Sequence, residues 1–326
     1  MLLWTEDQKQ NTPLKMVEIF LKTLPFFLLI GLGYQACRSG FFSEDAAAYL
    51  TKFVFYFALS AMLFGFSANL NLSAIFDWWF VAAYLSGSCV VYLLATAVAL
   101  FRRLKIEEAA IEAQCAVIGN VGFLGVPMLI VLMGEEAAGP ILMVLALDLM
   151  VFSSLIVILI TGSRDGRFSV GVFKTVGIGL LKNPMIVSIS LGLIWSAASL
   201  PVPTPINEFL SILGAAATPG ALFAIGASLA SKSAERLSVA GWLTFCKLVL
   251  HPMAVAFAAL VLFPVPPFEA SVMIAAAALP VAGNVYILAQ HYGVAPQRVS
   301  ASILISTALS ILTVSLVIAW VSGLPG

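Results

Sequence analysis

Gly119-Asn120-Val121-Gly122-Phe123-Leu124-Gly125-Val126-Pro127 lies inside an apolar segment that runs from Ala109 to about Met133. That segment is long enough to cross a bilayer. Proline removes a backbone donor and clashes with the carbonyl four residues earlier, and each glycine weakens a helix by roughly 1 kcal/mol. Irregular backbone survives at membrane depth only where protein or a water-filled cavity covers it. The stretch therefore predicts a discontinuous helix lining a cavity. A second stretch of the same kind, Leu279-Pro280-Val281-Ala282-Gly283-Asn284-Val285, lies far downstream. Interrupted segments in corresponding positions of two halves point to a transporter's binding site.

Composition sets the frame. The 326 residues are 61% hydrophobic and 10% charged, against about 25% charged in a soluble domain. This is an all-α polytopic membrane protein with room for about ten spans of roughly 20–25 residues. Net charge is +0. No basic patch exists outside the loops beside spans, so a nucleic-acid partner is not expected. Cys37, Cys89, Cys115 and Cys246 have no metal-ligand spacing and read as small buried hydrophobes. No metal or other cofactor is expected.

Residues 1–15 read as a polar external tail, 16–161 as a first group of five spans, 162–183 as a cytoplasmic connection and 184–326 as a second group of five. The spans are expected at about 16–37, 46–66, 78–101, 109–133 (broken), 141–161, 184–200, 209–230, 240–263, 270–292 (broken) and 299–321. Glu18 and Lys22 have the spacing of a helix ion pair. Part of the connection, about 168–181, suits a helix lying in the interface. Ser302, Ser306, Ser310 and Thr313 share a face of the last span, as residues that let helices pack closely.

The loops sort by charge. Those after spans two, four, six and eight hold Asp77, Glu135, Glu136, Glu208 and Glu269 and no Lys or Arg. The others hold Arg38; Arg102, Arg103 and Lys105; Arg164, Arg167, Lys174 and Lys182; Lys232 and Arg236; and Arg298. The positive-inside rule puts the second set in the cytoplasm and both termini outside, Lys9 and Lys15 being offset by Glu6 and Asp7. With an odd number of spans per half, the halves enter in opposite directions. That is the inverted repeat of a secondary transporter. The broken helices then cross, and two half-helix N-termini, each about half a positive charge, converge on one cavity suited to a carboxylate.

Most of the chain resembles the auxin efflux carrier family of membrane transporters, within the superfamily of bile-acid and sodium/proton carriers. The likeness rests on Gly119 to Pro127, Lys182-Asn183-Pro184, Pro219 to Ala230, Pro280 to Asn284, Ala289-Gln290-His291-Tyr292 and Ser306-Thr307. It departs in span two, where Leu59-Ser60-Ala61 stands for a family Leu-Pro-Ala-like segment. The resemblance implies two inverted five-helix repeats, a scaffold domain, a transport domain holding the crossed helices, and organic anions as substrates. Family members are linked to indole-acetate in plants and to malate or malonate in bacteria. Lacking a long central hydrophilic loop, this chain looks like a bacterial-type member.

The expected substrate-binding residues are Asn120, Gly122, Pro127, Pro280 and Asn284. The amides can cap a half-helix or hydrogen-bond a carboxylate, and the prolines shape the breaks. Asp148, near the midplane of span five, is the expected coupling-ion or proton site, because a carboxylate there costs about 3 kcal/mol even on a mild scale. Lys247 and His251, four apart on span eight, join it, either as a positive lure or in an ion pair with Asp148, unless Lys247 simply snorkels. Glu112 and Gln114 are expected to be exposed near the interface. The reading is a carrier of small organic anions in a cell membrane. Coupling to a proton or sodium and a homodimer both remain open. A channel or sensor built on a transporter fold is the alternative. An intramembrane enzyme has no support, since no HExxH, GxGD, DDxxD or Walker loop occurs.

Overall fold

The computed structural model of the chain describes residues 6–69, 77–165, 170–230 and 237–323. Arg167, Lys232 and Arg236 lie outside the described residues, as do the side chains of Glu6, Asp7, Lys9, Lys15 and Glu18, so the expected Glu18–Lys22 pair does too.

The described chain is helical throughout. We number its helices α1 (Glu6–Arg38), α2 (Glu44–Ala68), α3 (Trp78–Phe101), α4 (Ile106–Val117), α5 (Val121–Met133), α6 (Glu135–Arg164), α7 (Val170–Lys182) and α8 (Pro184–Ala197). There follow α9 (Thr204–Ala230), α10 (Leu237–Leu262), α11 (Pro267–Ala277), α12 (Gly283–Tyr292) and α13 (Pro296–Val321). Seven of these are long and apolar enough to cross a membrane, or eight if α7 and α8, bent by 76° at their junction, count as one crossing. The helix of α1 already begins at Glu6, so most of the expected tail is helical.

Local sequence explains where the helices start. Ser43 Oγ accepts the Ala46 N–H at 3.1 Å and Asp77 Oδ1 the Trp79 N–H at 2.8 Å, capping α2 and α3. Asn183 Oδ1 does the same for Met185 at 3.0 Å, with Pro184 at the first position of α8. Helices α9, α11 and α13 also carry proline in the first turn, where its missing N–H has no intrahelical use.

Two packing groups emerge. Helix α1 packs along α9, and α2 against α8 and α9. Helices α3, α4, α6, α10, α11, α12 and α13 pack among themselves around the breaks. The groups meet where α1 lies against α13, with Thr23 Oγ1 and Ser315 Oγ sharing a buried hydrogen bond at 2.9 Å. The α1–α9 contact depends on glycine: a Cβ on Gly226 would overlap the Ile30 carbonyl and one on Gly33 the Phe223 carbonyl. Small residues let membrane helices approach this closely.

Span two holds Ser60 where the family resemblance implies a proline. A wide π-type turn covers Val54–Ala58, and Ser60 Oγ donates to the Phe55 carbonyl at 3.2 Å. The hydroxyl serves a carbonyl that the wide turn leaves short of a partner.

Gly226→Ala should lower the thermal unfolding midpoint of the detergent-solubilised protein, because overpacking of this kind costs about 1–3 kcal/mol. Gly31→Ala, where an added Cβ meets nothing within 4 Å, should not lower the midpoint and should raise it slightly, since it removes a glycine from a helix interior.

Candidate functional site

The two breaks pair with each other. Between α4 and α5, and between α11 and α12, the chain is extended, and Gly119 and Val281 form an antiparallel bridge. The Asn120 N–H donates to the Pro280 carbonyl at 2.8 Å and the Ala282 N–H to the Ile118 carbonyl at 3.1 Å. The Val281 N–H points away from that pair and donates to Ser306 Oγ of α13 at 3.1 Å. Asn120 is the centre of an inverse γ-turn, at φ −76° and ψ 55°, closed by the Val121 N–H on the Gly119 carbonyl at 2.8 Å.

The carbonyl end of α11 meets a cation. Lys247 Nζ, fully buried on α10, donates to the Ala277 carbonyl at 2.5 Å and lies 3.1 Å from His251 Nδ1. His251 Nε2 lies 2.9 Å from Ser88 Oγ of α3. His251 Nδ1 also lies 3.2 Å from the Ala277 carbonyl, so the imidazole, the lysine and the helix end form one cluster. Gly119 is needed beside this group: a Cβ there would stand 3.3 Å from Lys247 Nζ and 3.3 Å from the Ala276 carbonyl. The ammonium thus sits where the negative ends of α4 and α11 come together, which a positive charge stabilises.

Asp148 is buried on α6, at the start of a π-type turn over Asp148–Phe152. Its Oδ1 accepts from Tyr84 Oη at 2.7 Å, while Oδ2 is buried with no hydrogen-bond partner. No ion pair joins Asp148 to Lys247; the link between them runs through α3. Tyr84 lies edge-on to the His251 ring, with centroids 6.0 Å apart, and His251 in turn meets Lys247.

A family model described as membrane transport protein matches residues 18–318. The chain belongs to this family, the auxin efflux carriers. Among its relatives, a protein of Rhizobium meliloti named "Putative malonate transporter" is 30% identical over 306 residues, covering 92% of this chain and 95% of that protein. The Escherichia coli "Uncharacterized transporter YfdV" is 25% identical over 290 residues, 87% and 91% of the two chains. The Methanocaldococcus jannaschii "Uncharacterized transporter MJ1031" is 25% identical over 300 residues, 89% and 94%. Family and helices together make this a multi-pass membrane protein.

Within this auxin efflux carrier relative, the breaks gather the expected residues unequally. Asn120 does not cap the turn that follows it. Asn284, in the first turn of α12, likewise caps nothing, and its Oδ1 is buried without a partner. Pro280 shapes the break by offering its carbonyl, and Pro127 sits in the first turn of the regular part of α5. Gly122 makes room for Met185 of α8, whose Cε a Cβ would strike. Beside Gly283, by contrast, an added Cβ meets nothing within 4 Å.

Several expectations are corrected. Lys247 does not snorkel, because a backbone carbonyl and an imidazole hold it inside. Glu112 and Gln114 are fully buried rather than exposed, Glu112 between two arginines. Arg298 is not a loop residue but a buried one in the first turn of α13. Cys115 and Cys246 are buried as expected, whereas Cys37 is half-buried and Cys89 exposed. Tyr84 and Ser88 escaped the sequence reading. Their spacing of one helical turn on one face of an otherwise apolar span was the available signal. Ser306 was read as a packing residue, yet it serves the break directly.

Ser306→Ala leaves the Val281 N–H buried and unpaired, so it should cost roughly 1–3 kcal/mol in thermal unfolding. Ser310→Ala removes only a local bond to the Thr307 carbonyl and should cost less than about 1 kcal/mol. Equal losses would show that Ser306 merely packs.

Proposed function

We propose that the chain is a secondary carrier of small carboxylate anions and that the crossed breaks are its binding site. The observation that carries this reading is the crossing itself, where two half-helices, α5 and α12, begin at facing breaks with the side-chain amides of Asn120 and Asn284 beside their first turns and no side-chain cap on either. The first N–H groups of such helices have no intrahelical acceptor and carry partial positive charge. An anion with two carboxyl groups complements two such ends, one carboxylate to each. The relative named for malonate supports this substrate class.

In this reading each broken pair, α4 with α5 and α11 with α12, makes one crossing, and with α8 the chain has ten spans as two inverted repeats, 16–161 and 184–326. The basic loops face the cytoplasm of a cell-membrane protein, with both termini outside. Asp148 is the coupling residue, and its unpartnered Oδ2 is where a proton or sodium ion is taken up. A charged Asp148 repels an anionic substrate by roughly 2 kcal/mol at ~8 Å and an effective dielectric of about 20. That is about 30-fold in affinity. Neutralising Asp148 relieves the repulsion, so affinity rises as pH falls.

Purified protein should gain thermal stability with malonate, and proteoliposomes should take it up at a saturable rate. Asn120→Ala and Asn284→Ala should each weaken binding at least about tenfold, the loss of one hydrogen bond to a charged group being worth about 1.5–3 kcal/mol, with unfolding midpoints unchanged. Wild-type affinity in both variants would remove the crossing as the site.

Asp148→Asn keeps the shape and imitates the neutral carboxyl. It should bind malonate as tightly as the wild type does at low pH and lose the dependence on pH or sodium. An identical pH profile in wild type and variant would make Asp148 a structural hydrogen-bond acceptor. For orientation, a cysteine introduced at Ser163 should resist membrane-impermeant thiol reagents in intact cells, and one at Thr204 should react.

A further inference from the structure

Three arginines and three glutamates gather at the end of the molecule where α4 begins. Glu112, fully buried, accepts from Arg298 Nη1 at 2.6 Å on one oxygen and from Arg102 Nη1 at 2.8 Å on the other. Arg298 Nη2 reaches Glu108 at 3.4 Å. Nearer the start of α4, Glu107 accepts from Arg164 Nε at 2.9 Å. Arg164 Nη2 also donates at 2.6 Å to the carbonyl of Tyr292, the last residue of α12, and its guanidinium lies over the Tyr292 ring. The turn that follows is tight, with Gly293 at φ 66° and Ala295 at φ 46°, and it delivers Arg298 to Glu112.

The network therefore ties α4 to the first turn of α13 directly and to the end of α12 through Arg164 of α6, with Arg102 at the end of α3 as a further partner. Helices α4 and α12 are the two half-helices that lead away from the breaks on this side. On the other side α5 and α11 lead toward Glu135, Glu136 and Glu269, none of which forms an ion pair among the described residues. The asymmetry matters physically. A buried carboxylate held by two guanidinium groups has a fixed orientation, and removing one partner strands a buried charge. Apolar contacts alone impose no such register.

We propose that Glu112 and Arg298 are positioning residues that splice α4 and α12 into one rigid arm, so that the breaks at Asn120 and Asn284 keep their register while the arms on the other side are free to part. The functional weight of this arm rests on the crossing being the binding site; the splice itself does not.

Cys115, buried on α4 three residues beyond Glu112, reports on it. With Cys37, Cys89 and Cys246 replaced by serine or alanine, Cys115 is the sole thiol. Its alkylation by N-ethylmaleimide in membrane vesicles without substrate should be slow. Glu112→Gln should accelerate it about tenfold or more, because α4 then opens locally. Arg298→Lys, which keeps the charge but loses the fork, should give an intermediate rate. A second reporter, Ile189→Cys, is buried on α8 in the other packing group and, with Cys115 also replaced, should stay slow in the same variants. An unchanged Cys115 rate overturns the proposal. A parallel rise at Ile189→Cys also overturns it, since the network would then hold the whole fold rather than one arm. If Glu112→Gln does not reach the membrane, Arg102→Gln, which removes the half-exposed partner, decides in the same way. No substrate enters this assay, so its failure leaves carboxylate binding standing, while carboxylate binding fails on the malonate measurements alone.

Discussion

Everything near the centre of this molecule follows from two backbone hydrogen bonds between breaks that lie some 160 residues apart in the chain. Hydrocarbon offers no water to a broken helix, and an unsatisfied peptide group there costs several kcal/mol. Each break on its own would be intolerable. Crossed, they supply each other, Asn120 to Pro280 and Ala282 to Ile118. What the mutual pairing cannot satisfy recruits further helices. The Val281 N–H takes Ser306 from α13, and the Ala277 carbonyl takes Lys247 from α10. The crossing is thus the reason α10 and α13 must stand where they do, and Gly119 is the vacancy that lets the ammonium in.

Charge is sorted by helix polarity around this crossing. The negative ends of α4 and α11 meet Lys247, so their partial charge is compensated within the protein. The opposite ends, where α5 and α12 start, have no side-chain cap. In the proposed function, a site that neutralises one sign internally and leaves the other open would favour an anion. It would bind through preorganised dipoles, which would release a dianion more readily than a buried ion pair would. That suits a carrier, whose ligand must leave as well as arrive.

The helices were legible because lipid imposes a simple length and composition rule. The span expected at 78–101 coincides with α3, and the broken segments fall where glycine and proline make an unbroken helix costly. The contacts between helices were not legible. Ser60 accompanies a wide turn, its hydroxyl donating to the Phe55 carbonyl five residues back, and nothing in the sequence pattern marks that contact. Ser306 looked like its neighbours Ser302 and Ser310, and only the third dimension shows that one of the three faces an orphan N–H.

The misplaced charges share one cause. Glu112 and Arg298 were assigned outward by their distance from a helix end, and Lys247 was left between a site and a snorkelling role, yet depth along a span carries no information about which way a side chain faces. In a soluble helix the polar face would settle that, but here the lipid-facing side is as apolar as the core, so periodicity is mute. The rule that does apply is energetic. An ionisable group inside a span cannot face hydrocarbon and must find an opposite charge or a backbone dipole at its own depth. Applied to this chain, it pairs Glu112 with Arg298, since both lie within about two turns of the same end of their helices, and Lys247 meets the rule at a helix carbonyl terminus. Asp148 is the residue for which the rule runs short, with one oxygen served by Tyr84 and the other by nothing. Arg298 also keeps a buried Nε without a partner, but it lies near a helix end and is held by two carboxylates, whereas Asp148 stands mid-span, and that is why the proposed function puts the coupling ion there.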